Sequence, residues 1–158
     1  MRSAHPTGPP MEGDPVIDRA FIGTRLAPFT VEVDHGRAAS FNEVFTDLTA
    51  EHAGGRRDPS VAPTFLFGLD LEDRSDVLTG MGIDPHRVLH VEQGFVYHRT
   101  ARVGERLTFS PVISDVYGRG GLEFVARDTA VTDAGGEPVA DLHQVIAVRP
   151  LAVGEARA

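Results

Sequence analysis

The chain contains no cysteine and no lysine. Without cysteine there is no disulfide framework, no thiolate nucleophile and no cysteine-ligated zinc. Without lysine there is no Schiff-base amine and no P-loop lysine. Charge of one sign is in short supply too. The formal balance is −8, which argues against non-specific nucleic-acid binding. No apolar stretch approaches the roughly 18 residues that a membrane span needs. The first fifteen residues hold Pro6, Pro9, Pro10 and Pro15 but no apolar core, so they do not read as a secretory signal. The expectation is a cytoplasmic protein with residues 1–15 as a disordered leader, 16–150 as one domain and 151–158 as a disordered tail.

What remains is patterned. Val16 to Leu26 has weak helical or turn character, broken at Gly23. Phe29, Val31 and Val33 alternate with Thr30 and Glu32, the period of a half-buried strand. Asp34 can cap a helix over Gly36 to Leu48, where Ala38, Phe41, Phe45 and Leu48 recur at helical spacing. Glu51 to Ser60 is loop by composition. Val61 to Leu71 is a compact apolar run that predicts a short buried helix, with Pro63 in its first turn. Glu72 to Met81 predicts a further helix ending near Gly82.

From Arg87 onward the period is two. Strands are predicted over Val88–Arg99, Glu105–Val116, Leu122–Val131 and Val139–Val148. Turn residues separate them at Val103-Gly104, Gly118–Gly121 and Asp133–Pro138. Short turns imply an antiparallel meander. With the earlier strand, the class is α+β: a five-stranded antiparallel sheet packed on one main helix. An exposed strand edge invites pairing with a second chain.

The segment Leu89–Leu107, LHVEQGFVYHRTARVGERL, resembles a signature of the MaoC-like dehydratases. It is similar to the N-terminal, non-catalytic half of their two-domain forms, and to the A-type subunit of heteromeric (3R)-hydroxyacyl-ACP dehydratases. His90, Glu92, Gln93, Phe95, Tyr97, His98, Arg99 and Gly104 match that pattern. Val91 stands for a usual glycine, Thr100 for a proline and Glu105 for an aspartate. Ala62-Pro63-Thr64-Phe65 and the Asp133–Gly136 turn fit as well. The resemblance implies a hot-dog fold acting on acyl thioesters of coenzyme A or acyl carrier protein. The implied chemistry is hydration of a trans-2-enoyl thioester, or dehydration of a (3R)-3-hydroxyacyl thioester.

That chemistry needs an acid–base pair and donors for the thioester oxygen. In the catalytic half of the family an Asp-x-Asn-Pro-x-His motif supplies the pair. The corresponding loop here, Glu51–Ser60, holds Asp58-Pro59 with no following histidine, and the chain's one asparagine, Asn42, precedes Glu43. The resemblance therefore implies no catalytic residue in this chain and a partner hot-dog that brings them.

Other side chains have two readings. His90, Glu92 and His98 are spaced to share one strand face, as a substitute acid–base set or as ordinary polar pairing. Phe65, Phe67, Phe95 and Tyr97 are candidates to line an acyl tunnel, or simply to pack the core. Arg99 and Arg102, with Arg87 and Arg106, are candidates to meet a phosphopantetheine arm or an acidic carrier, or are solvated strand ends. His86 and His90 lack the helix and carboxylate that a metal pair needs, so no metal and no cofactor are expected. No serine lies in a nucleophile elbow. Gly118–Gly121 opens no helix, so it does not read as a phosphate loop.

Three functions follow. The first is the non-catalytic subunit of a dehydratase or hydratase, bound to a catalytic MaoC-like chain or to a second copy of itself. The second is a stand-alone hydratase using His90, Glu92 or His98, or a hot-dog thioesterase using Asp58, Asp70 or Glu72. The third is a non-enzymatic acyl-thioester binding protein.

Overall fold

The computed structural model describes residues 17–49, 61–72 and 77–149. The leader, the tail and the loop at 51–60 lie outside the described residues. A 3-10 turn at Arg19–Phe21 comes first, capped by the Asp18 side chain. Strand β1 (Phe29–Glu32) follows, then helix α1 (His35–Thr49). Asp34 starts α1 as expected: its carboxylate accepts from Arg37 N at 2.8 Å, satisfying a donor that the first helical turn leaves open.

Helix α2 (Phe65–Asp70) is short and nearly all core. Phe65, Leu66, Leu69 and Asp70 are buried. Pro63 lies before its cap, Thr64, rather than inside the first turn. Of the helix predicted over Glu72–Met81, the described part is one turn, α3 (Val77–Gly80). It stops where Gly82 takes a left-handed φ of 72°, a conformation that glycine adopts without strain.

Four long strands complete the sheet: β2 (Val88–Tyr97), β3 (Arg106–Arg119), β4 (Leu122–Thr132) and β5 (Pro138–Val148). All pairings are antiparallel and the order is β1-β3-β4-β5-β2. Only β3, β4 and β5 form a meander. The Val103-Gly104 turn does not join neighbours, because β2 pairs with β5 at the far edge. The connection from β2 to β3 instead crosses the end of the sheet. There Ala101 is buried, Val61 N donates to its carbonyl, and Gly104 N donates to Val33 O beside β1. Docking against β1 and residue 61 competes successfully with a local hairpin.

The inner face of the sheet carries two apolar clusters. One gathers Leu107, Phe109, Val131 and Leu142 under α2 and the start of α1. The other gathers Ile113, Val116, Val125 and Val148 under Ile17, Met81 and Ile83. Complete burial of a side chain such as Phe109 or Leu66 contributes about 1.5–3 kcal/mol.

Candidate functional site

Helix α2 and strand β2 face each other, and two contacts fix how. The Tyr97 hydroxyl donates to the carbonyl of Pro63, just before α2. Phe67, in the middle of α2, stacks on His90 with ring centres 4.9 Å apart. Helix α2 therefore runs along the inner face of β2 from Tyr97 towards His90. Burial under it pushes the Tyr97 phenol up to about 12. Phe95 stacks on Tyr97 at 5.9 Å, and both pack against the first core cluster.

A bulge reorders the strand. His90 pairs with Ile146 and Glu92 with Val145, so two residues of β2 are matched by one step of β5. The extra residue is Val91, at the position where the family's pattern carries glycine. A bulge inverts the alternation of side chains. Hence His90 shares the inner face with Gln93, Phe95 and Tyr97, whereas Glu92 turns to the outer face with His143 and Asp128. His98 lies beyond the strand, pairs with Asp141 at 2.8 Å, and stands roughly 20–25 Å along the chain from His90. The shared face read from even spacing is thus corrected: His90, Glu92 and His98 do not converge.

The aromatic set divides. Phe65 and Phe67, two apart on a helix, point to nearly opposite sides. Phe65 packs edge-on to Phe41 of α1 at 5.4 Å and lines a cleft of about 660 Å³ with Asp34, Gly36, Arg37, Ser40, Phe41 and Gly68. Phe67, Phe95 and Tyr97 belong to the α2–β2 side.

The arginines also separate. Arg99 donates to Glu105 at 2.9 and 3.1 Å and to Asp133 at 2.9 Å, which ties the crossover to the β4–β5 turn. Its guanidinium is held charged chiefly by Glu105. Arg99 is thus held by two carboxylates of the fold, one on each side of its guanidinium. Arg87 is bonded to the carbonyl of Arg149 at the other end of β2. Arg102 and Arg106 stay exposed. The carboxylates proposed for water activation are paired as well: Asp70 with Arg127 at 2.5 Å, and Glu72 with Arg37. Asp58 lies outside the described residues. Asn42 accepts from Ala62 N at 3.0 Å, anchoring α1 to the chain before α2.

One feature escaped the sequence reading. Across the inner face, Gln93, Gln144 and Arg127 stand side by side on β2, β5 and β4. This polar row, ending at the buried Asp70 of α2, parts the two apolar clusters. The side-chain oxygen of Gln93 is buried with no hydrogen-bond partner among the described residues. Such an acceptor costs about 1–3 kcal/mol. The sequence signal was the pair of glutamines at strand positions that should be apolar.

Among the described residues no group of three or more His, Asp or Glu side chains could hold a metal ion. No helix of these residues is long and apolar enough to cross a membrane.

A five-stranded antiparallel sheet wrapped on the buried helix α2, with β2 paired on one flank only among the described residues, defines the chain as a hot-dog protein of the MaoC-like type. Known structures carry the same architecture. The truncated HadBC (3R-hydroxyacyl-ACP dehydratase) complex of Mycobacterium tuberculosis superposes with a TM-score of 0.64 at 19% identity, over 80% of this chain and 96% of that one. A MaoC-like dehydratase superposes with a TM-score of 0.69 at 16% identity, over 83% of this chain and 43% of a longer one. The family described as FAS1-like, dehydratase domain region, matches residues 20–142, and the chain belongs to it. A UPF0336 protein of Streptomyces avermitilis is 32% identical over 133 residues, which are 78% of this chain and 89% of the relative. Another, from Saccharopolyspora erythraea, is 28% identical over 143 residues, 84% and 92% of the two chains.

Proposed function

We propose that this chain is the non-catalytic subunit of a (3R)-3-hydroxyacyl-thioester dehydratase or trans-2-enoyl-thioester hydratase, working in the cytoplasm. It supplies acyl-binding surface to a hot-dog partner that brings the acid–base pair. The observation that carries this reading is the bulge at Val91. It turns Glu92 away from His90, and the His98–Asp141 and His143–Asp128 pairs involve sheet positions on the face away from α2, so neither pair joins His90 on the acyl-facing side. Hydration needs an acid and a base placed on the same substrate, and neither Glu92 nor His98 meets His90.

The edge strand supports the partner. Leu89, Val91 and Val96 are exposed apolar side chains on β2, whose backbone pairs on one side only among the described residues. An uncovered edge of this kind favours strand addition by another chain. Phe67, Phe95 and Tyr97 line the inner side of the same edge and form the acyl-facing surface. Arg102, with Arg106, is the remaining cationic contact for a coenzyme A or carrier-protein phosphate. The thioesterase reading loses Asp70 and Glu72 to their arginine partners.

The test follows loss of the enoyl absorbance of crotonyl-CoA. The full chain alone is expected to be silent, and to gain activity with a hot-dog chain carrying Asp-x-Asn-Pro-x-His. Turnover by this chain alone, surviving repurification, overturns the proposal. Tight acyl-thioester binding with no activity in any mixture would make it a binding protein instead.

A further inference from the structure

The polar row on the inner face has a chemistry of its own. Gln93 lies between the two points at which α2 is tied to β2, Tyr97–Pro63 on one side and His90–Phe67 on the other. Helix α2 therefore roofs it. Its amide nitrogen faces the Gly94 carbonyl at 3.4 Å, which turns the oxygen inward. That oxygen is buried and accepts nothing among the described residues. Beside it run Gln144 and then Arg127, paired with Asp70. Apolar side chains stand on both sides, Phe95 and Leu142 on one and Val88 and Ile146 on the other. A folded chain gains nothing from a lone acceptor in such a place, so the group points to a donor that arrives from outside.

What arrives between α2 and an apolar-flanked strand is the acyl part of a thioester rather than its nucleotide. This step rests on the acyl-binding reading given above. The acyl part of a (3R)-3-hydroxyacyl thioester bears one hydrogen-bond donor, its 3-hydroxyl. The enoyl and saturated forms bear none. A polar site that is built to accept such a proton discriminates strongly against a ligand without it, because the site's own groups are then left unpaired. We propose that the Gln93 side-chain oxygen accepts the hydrogen bond of the substrate 3-hydroxyl, making Gln93 the residue by which this subunit selects hydroxylated acyl chains over plain ones. The 3-hydroxyl is the leaving group of the dehydration, so Gln93 binds and orients it, while the partner's acid–base pair protonates it and takes the α-proton.

The experiment measures calorimetric binding of (3R)-3-hydroxydecanoyl-CoA and decanoyl-CoA to the full chain, with thermal melting and sedimentation alongside. The wild type is expected to prefer the hydroxylated ligand. In Gln93→Met that ligand loses about tenfold in affinity while decanoyl-CoA is unchanged. The melting temperature holds or rises, since an apolar group replaces a lone acceptor. Gln93→Leu is the second replacement should the Met variant fold poorly. Equal loss for both ligands, no loss for either, lower melting in both variants, or weakened subunit association without a change in preference would each overturn the assignment. Wild-type binding of both ligands with no preference sinks this inference alone. Binding of neither sinks the acyl-binding reading with it.

Discussion

Tyr97 shows how much one side chain can fasten. Its hydroxyl holds the chain before α2, its ring stacks on Phe95, and burial holds its proton. Tyr97→Phe is expected to cost about 1 kcal/mol, read as a lower urea midpoint with an unchanged slope. An absorbance titration should find one tyrosine that ionises only near pH 12. The unfolded phenol ionises near pH 10, so between these values the folded state binds more protons. Stability from this group is complete below pH 10 and falls as the pH rises towards 12. Asp133 has the opposite sign. Backbone donors from Glu137, then Arg99, then the Gly135 amide hold its carboxyl below the usual range. Its contribution is complete above the ordinary carboxylate pKa of about 3.9 and is lost as the pH falls below that. Asp133→Asn should therefore lower the melting temperature at pH 7, and the gap to wild type should close in strong acid.

Between elements, the contacts are fewer and each matters more. Asp70 of α2 reaches Arg127 of β4 at the end of the polar row that parts the two apolar clusters. Asp70→Ala strands a mostly buried guanidinium and should cost about 3–5 kcal/mol. Replacing both, with Asp70→Leu and Arg127→Met, should recover most of that loss in chemical denaturation. Recovery would show that the pair is not required for stability. Leu66, fully buried on the same helix, is a plain packing control: Leu66→Ala should cost about 2–5 kcal/mol. The bulge is an element-scale device of another kind. One extra residue in β2 decides that His90, and not Glu92, turns to the face on which it stacks with Phe67 of α2.

For the whole molecule, the open edge governs behaviour. Leu89 and Val96 are 45% and 61% exposed on a ten-residue strand that has one neighbour, β5, among the described residues. Charging that edge with Leu89→Glu and Val96→Lys should abolish pairing in sedimentation, with little change in the melting of the separate chain. A double variant that stays as associated as wild type would place the partner elsewhere. The crossover between β2 and β3 makes this edge possible. By carrying β3 away to pair with β1, it leaves β2 covered on one flank only.

Much of this was legible from local chemistry. The alternation of Phe29 and Val31, the Asp34 cap and the apolar run at Phe65 each specify their element within a few residues. The three strands joined by glycine turns, β3 to β5, follow for the same reason: short turns leave strands no choice but to pair. Absence of the Asp-x-Asn-Pro-x-His motif is also a local fact. The tertiary structure alone decided what depends on distant partners. The Val103-Gly104 turn looks like a hairpin until β1 and residue 61 compete for its backbone. Even spacing puts His90 and Glu92 on one face until the register with β5 inserts a bulge. Four arginines close in sequence become separate groups once Glu105, Asp133 and the Arg149 carbonyl claim two of them. The lone acceptor of Gln93 depends on helix α2 (Phe65–Asp70), a separate element earlier in the chain that lies over it. Sequence patterns carry the period of an element, whereas facing and pairing are set by whatever the rest of the chain brings alongside.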